Sequence, residues 1–323
     1  MQKAQNVILD FSHVYPENIE AKAEGLKRID LSDLRGTNLY CTREAETEIR
    51  KRLKSVGPQG IHFLDNGNYH YMTKLFTDKI DFPFSLVLFD NHNDMKQSMI
   101  HELTSCGSWA GDMLRENSCL EQLILIGPDQ ENIKEISLDL QKKLVCISIQ
   151  ELEERKAEKQ LTQIRVDIPT YISIDKDVLD HYGARTNWNQ GRMSVETLKK
   201  LLSEIFTHQR VIGVDICGEC SMEEPWQQFK EDQEINRVTN NILYHFLSAY
   251  FPYQEEEQDA VMREYNRETK LWNSVYRESP SADLRKEKLT VEPMFDGCLR
   301  YFAEHTRRVL DFGCGSGDIL FQY

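Results

Sequence analysis

The sequence predicts an α/β protein of three layers, with helices on both faces of a largely parallel sheet. Three observations predict it. Short runs of β-branched and aliphatic residues recur along the first two thirds of the chain. Polar stretches of helical character separate most of them. The runs are continuous rather than alternating, which is what strands buried on both faces of a parallel sheet require.

In chain order the runs are VILDF (7–11), IHFLD (61–65), SLVLFD (85–90), QLILIG (122–127), KLVCISI (143–149), TYISID (170–175) and RVIGVDI (210–216). REAETEIRKRLKS (43–55) reads as a helix, with Thr42 as N-cap and Glu44 and Glu46 at the positive end of its dipole. Ser194 caps VETLKKLLSEIFTH in the same way, and INRVTNNILYHFLSAYF (235–251) carries helical apolar spacing that closes the domain. After Pro252 the chain turns strongly charged and poor in apolar residues, as a linker or solvated helix does. The expected division is a domain over residues 1–252 and a tail over residues 253–323.

Charge and composition restrict the partners. The 323 residues carry a formal net charge of −14, from 53 acidic and 39 basic side chains, which repels nucleic acid and attracts a small cation. No run approaches the roughly 18 apolar residues that span a bilayer. The start lacks a secretory cleavage pattern, and eight cysteines are scattered without a repeated spacing, as reduced thiols in a cytoplasm are. Cys217 and Cys220 form a single CxxC with no second pair, a weak zinc signal. The expected protein is cytoplasmic, with neither nucleic acid nor membrane as partner.

The strand ends carry the chemistry. In an open parallel sheet the loops leaving the carboxyl edge build the site. SLVLF ends in Asp90, His92 and Asp94; TYISI ends in Asp175 and Asp177; and IHFL is followed by a loop containing His70. Either motif alone could be a turn or a helix cap. Together they offer four carboxylates and two imidazoles, too many for one zinc ion and suited to two divalent cations that share carboxylates. Oxygen-rich ligation with two imidazoles favours Mn²⁺, with Fe or Mg next.

GNYHYMT, DNHND and SIDKDVLD, in that order, resemble the motifs of the ureohydrolase superfamily, the arginases and agmatinases, over roughly residues 5 to 250. The resemblance implies an arginase-type α/β/α fold with a mostly parallel eight-stranded sheet, and a two-manganese site that hydrolyses guanidinium groups at C–N bonds other than peptide bonds. By position it implies that His70, Asp90, Asp94 and Asp175 bind one ion and that Asp90, His92, Asp175 and Asp177 bind the other, with Asp90 and Asp175 bridging. Activated water would attack the guanidinium carbon, and Asp94 would carry the proton to the leaving amine. Glu219, one place beyond the position of the family's glutamate, is the expected carboxylate for the guanidinium. The implied substrate is a small cationic guanidino compound or an arginine-containing peptide, and the implied assembly is a homo-oligomer.

Three departures restrict the substrate. SCGSWAGD (105–112) replaces a histidine-bearing loop of arginases, and Trp109 in it is either a wall that stacks on a planar cation or a core residue. Asp180-His181 replaces the Asp-Pro that ends the third motif, and the Glu-Val-Asn-Pro-like segment of agmatinases is missing. Recognition of free arginine or agmatine therefore does not carry over, and the pattern is closer to a divergent branch that resembles peptide arginases. Two alternatives stand beside this reading: a zinc-dependent amide deacetylase on the related fold, and a non-catalytic arginase-like module fused to a methyltransferase. RVLDFGCGSG, with Asp311, Gly313, Gly315 and Gly317, resembles the first motif of class I S-adenosylmethionine-dependent methyltransferases. Only six residues follow Gly317, so no binding of that cofactor is expected.

Overall fold

A computed structural model describes residues 4–17, 25–98, 100 and 103–251. The elements are β1 (Asn6–Asp10), β2 (Leu26–Asp30), β3 (Tyr40–Cys41), α1 (Arg43–Arg52), β4 (Gly60–Phe63), α2 (Met72–Thr77), β5 (Phe84–Phe89), β6 (Thr104–Ser105), α3 (Trp109–Glu116), β7 (Leu120–Ile126), α4 (Gln130–Lys134), β8 (Leu144–Ile147), α5 (Ile149–Glu153), α6 (Glu158–Leu161), β9 (Thr170–Asp175), α7 (Val195–His208) and β10 (Val211–Cys217). A last helix, α8, covers residues 226–251. Chain contacts divide the protein into Met1–Glu256 and Glu257–Tyr323. The expected linker and the methyltransferase-like glycine motif lie outside the described residues.

Eight strands form one sheet in the order β2-β1-β4-β10-β9-β5-β7-β8, and every neighbouring pair is parallel. Every residue of β4, β5, β9 and β10 is buried, because helices cover both faces of the sheet centre. Alternate side chains divide between two apolar layers: Val87 and Phe89 enter one with Leu198, Leu202 and Leu243, while Leu86 and Leu88 enter the other with Ile49, Phe76 and Met113. β3 and β6 pair separately and antiparallel.

Local signals account for the helices. Thr42 Oγ1 accepts from Ala45 N–H, and Arg50, Lys51 and Arg52 occupy the last turn of α1, where cations suit the dipole. Ser194 caps α7 by accepting from Thr197 N–H. Ser148 leaves the predicted KLVCISI strand to form a capping box with Glu151 at the start of α5, so β8 stops at Ile147. α8 begins nine residues before its predicted start. The Phe229 N–H donates to the Pro225 carbonyl there, and Phe229 is the one side chain of that polar first turn that enters the core. Among the described residues no helix is long and apolar enough to cross a membrane.

Candidate metal centre

Sheet register assembles the site. β5 pairs with β9 so that Phe89 faces Ile174, which sets Asp90 and Asp175 side by side at the next step. β9 pairs with β10 so that Asp175 faces Cys217. His70 arrives after β4 through a 3-10 turn at Gly67–Tyr69, whose entry is capped by the Asn66 side chain. A Cβ at Gly67 would meet Trp188 Cδ1 at 2.6 Å and Asp175 Oδ2 at 3.2 Å, so glycine here lets the Trp188 ring lie close over the turn.

The six expected donors converge. His70 Nδ1 lies 3.3 Å from Asp90 Oδ2, 3.1 Å from Asp94 Oδ2 and 3.5 Å from Asp175 Oδ2. His92 Nδ1 lies 2.7 Å from Asp177 Oδ2 and 3.5 Å from Asp90 Oδ1. Two trios, His70-Asp90-Asp94 and Asp90-His92-Asp177, hold their donor atoms within 4.8 Å of one another, and Asp90 belongs to both. His70, Asp90, Asp175 and Asp177 are at most 3 % exposed, and His70 Nδ1 and Asp90 Oδ2 are buried atoms without a hydrogen-bond partner among the described residues. A shared cation would satisfy this buried imidazole nitrogen and the carboxylate oxygens that face it, and the donor set fits divalent ions.

An outer layer orients these donors. His70 Nε2 is 2.9 Å from Ser173 Oγ, which is 2.9 Å from Thr73 Oγ1. That contact leaves Nδ1 to face the carboxylates. Ser173 was not among the expected site residues, although the period-2 rule places it on the same face of β9 as Asp175. Asp94 has φ +49° and its carbonyl accepts from Ala110 and Gly111 N–H at the start of α3, so the helix fixes its backbone. Trp109 Nε1–H donates to Asp94 Oδ2 at 2.7 Å. The Trp109 ring is fully buried, 4.7 Å from the His70 ring, so it supports the cluster from behind and is not a wall facing substrate.

Charge crowding shifts the acids. Burial, then the Asp177 and Asp90 carboxylates, raise Asp175 from the ordinary 3.8 to about 7. Burial and Asp90 raise Asp177 to about 6, against the opposing hydrogen bond from His92. Burial lowers the pKa of His92, but its bonds to Asp177 and Asp90 prevail and carry it up to about 11. Burial, then Asp175, push the Cys217 thiol well above its usual range.

Glu219 sits differently from its expected role. Its Oε1 accepts from Lys176 Nζ at 2.5 Å and from Asn240 Nδ2 at 2.7 Å, and both charged side chains are nearly fully buried. Gly218 is the cause. It turns the chain at φ +88°, where a Cβ would meet Asp175 Oδ1 at 2.4 Å, and the Glu219 N–H then donates to the Asp65 carbonyl. The carboxylate is thereby committed to Lys176 rather than to a guanidinium. Cys220 joins no donor cluster among the described residues, so the CxxC does not act as a unit.

A cavity of about 230 Å³ opens over the cluster, with Asp90, His92, Asp94, Asp175 and Asp177 among its lining residues. Trp188, 41 % exposed, stands on its wall edge-on to His92, and its Nε1–H donates to Asn68 Oδ1. Lys96, Cys106 and Gly107 also line the cavity. Trp188, in the segment after the third motif, carries no sequence signal that separates it from other loop tryptophans.

A fully parallel eight-stranded sheet, with imidazoles and carboxylates gathered at the carboxyl ends of its central strands, defines an α/β/α protein whose candidate site lies at one sheet edge. The chain belongs to the arginase family: the model of that family matches residues 15–222. An uncharacterized protein of Thermotoga maritima is 31 % identical over 252 residues, covering 77 % of this chain and 93 % of that one. Formimidoylglutamase from Bacillus subtilis is a structural relative with a TM-score of 0.55 at 14 % identity, over 77 % of this chain and 87 % of that one. Proclavaminate amidino hydrolase from Streptomyces clavuligerus gives 0.55 at 14 %, over 76 % and 92 %. Arginase from Medicago truncatula gives 0.52 at 13 %, over 75 % and 87 %. At such identities the likeness establishes the fold, which is the one the motifs implied.

Proposed function

We propose that the protein hydrolyses a guanidinium group, releasing urea and an amine, with two divalent cations, Mn²⁺ by preference, in the cluster. The observation that carries this reading is the convergence of six donors beneath an open cavity, with His70 Nδ1 and Asp90 Oδ2 left without hydrogen-bond partners among the described residues. His70, Asp90, Asp94 and Asp175 would hold one cation and Asp90, His92, Asp175 and Asp177 the other. When bound, the pair supplies Lewis acidity and the activation of water near neutral pH.

The chain's own residues do the rest. The acidic floor attracts a planar cation, and the exposed ring of Trp188 offers it a stacking face, the role Trp109 is too deep to play. Asp94, held by Trp109 and by the start of α3, carries the proton to the departing amine. The substrate is a guanidino compound or a peptidyl arginine, and the protein works in the cytoplasm as a homo-oligomer.

Metal analysis after Mn²⁺ reconstitution, with a urea-release screen over arginine, agmatine, other guanidino acids and arginine peptides, tests the reading. About two metals per chain with urea from one substrate class supports it. One zinc with amide cleavage and no urea would move the assignment to a deacetylase, and retained metal with no turnover to a non-catalytic module.

Two further outcomes are expected. Trp109→Phe keeps the buried ring but deletes the bond to Asp94, and should cost on the order of 10- to 100-fold in metal affinity or turnover. Unchanged titrations and rates would show that Asp94 is oriented by its backbone alone. The second outcome concerns pH. Because the folded pKa values of Asp175 and Asp177 are raised above the ordinary 3.8, their contribution to metal-free stability is present at low pH and lost as pH rises through about 6 and about 7. The sign is the same for His92, raised from 6.5 to about 11: its contribution is full below about 6.5 and is lost only as pH rises toward about 11. A cation replaces the protons the carboxylates give up, so the gain in Tm from saturating Mn²⁺ should grow between about pH 6 and about pH 8. A gain that stays level across that window contradicts the placement of the cation among these carboxylates.

A further inference from the structure

The end of β10 brings a sulfur donor to the cluster that the six-residue set leaves out. Cys217 is 1 % exposed and faces Asp175 in register. Its Sγ lies 3.1 Å from Asp175 Oδ2, and the donor atoms of His70, Asp175 and Cys217 all lie within 4.8 Å of one another. His70 is common to this trio and to His70-Asp90-Asp94, and its Nδ1 has no hydrogen-bond partner among the described residues. We propose that Cys217 is a thiolate ligand of the cation held on the His70 side, which makes the two metal positions chemically unequal. The proposal rests on the metal-centre reading above.

Ligand chemistry gives the consequence. One thiolate added to imidazole and carboxylates shifts that position toward Zn²⁺, Co²⁺ or Fe²⁺, whereas the Asp90-His92-Asp177 position has only oxygen and nitrogen donors and stays suited to Mn²⁺. Binding exchanges the thiol proton, released to solvent, for the cation, and the metal keeps its oxidation state. Gly218 permits the arrangement, since any Cβ there would collide with the Asp175 carboxylate beside which the sulfur lies. Cys106, on the cavity wall, shares no such trio among the described residues and serves as the internal control.

Titration of the metal-stripped full chain with Co²⁺ tests the proposal. A thiolate-to-cobalt charge-transfer band in the near ultraviolet is expected. Cys106→Ser should retain it, and Cys217→Ser should lose it while still binding Co²⁺. X-ray absorption of the Zn²⁺-loaded native chain should show a sulfur neighbour at about 2.3 Å, a measurement that needs no variant. Cys217→Ser should also lower the ratio of Zn²⁺ to Mn²⁺ affinity by about tenfold or more. Bound metal with neither band nor sulfur neighbour overturns the thiolate assignment and leaves the metal centre standing. A band lost in Cys106→Ser instead moves the sulfur to the cavity wall and overturns it too, and no bound metal at all overturns both readings.

Discussion

Asp175→Asn is expected to remove both retained metal and guanidine hydrolysis while leaving the fold intact. The side chain is 3 % exposed, lies 3.5 Å from His70 Nδ1 and is fixed by the register of β9 against β5 and β10. Asparagine fills the same volume but offers neutral donors and acceptors where a carboxylate would join two cations. Loss of a ligand shared by two ions should cost more than the roughly 10- to 100-fold of an outer-layer change. Neutralising an acid that burial and two carboxylates already penalise should at the same time raise the Tm of the metal-free protein. Asp90→Asn should behave alike for metal. Undiminished metal content in both variants would sink the assignment.

Lys176→Met should produce the largest loss of stability at any single polar position near the site. It leaves the Glu219 carboxylate buried with Asn240 as its remaining side-chain partner, and breaking a buried pair in this way costs about 3–5 kcal/mol. Glu219→Gln should destabilise by the converse route, leaving the ammonium unpaired. The double variant Lys176→Met, Glu219→Gln should recover much of the loss, because removing both charges also removes their desolvation. Chemical denaturation of the three variants measures this coupling. Additive losses would mean that the two side chains do not depend on each other. A drop in guanidine turnover for Glu219→Gln without any loss of stability would instead restore the role expected from sequence, a carboxylate reserved for substrate.

Seven of the eight sheet strands were legible as continuous apolar runs, because those strands are buried or nearly so. The eighth, β2, reads Leu-Lys-Arg-Ile-Asp and lies at the sheet edge, where only Leu26 is buried. An edge strand packed on one neighbour has no need of a continuous apolar signature. At the site, residue type and strand-end position sufficed to bring these six side chains to one sheet edge. They did not suffice for Glu219, whose direction depends on a left-handed turn at Gly218, or for the tryptophans. Trp109 and Trp188 differ in depth because depth is decided by helix packing and by a loop closing over Gly67, neither of which leaves a local pattern. Cys217 shows in the sequence only as half of a CxxC, because its place in register beside Asp175 is set by the pairing of β9 with β10 and leaves no local pattern.

The order of strands in the sheet also sets when the centre can exist during synthesis. β9 inserts between β5 and β10, so Asp175 and Asp177 reach Asp90 and His92 only after more than eighty further residues have left the ribosome and docked. Contacts this distant in sequence close late and at an entropic cost. A nascent chain that has emerged through Asp94 therefore carries His70, Asp90, His92 and Asp94 without their partners, and the set closes only when both β9 and β10 have filled the gap between β5 and β4.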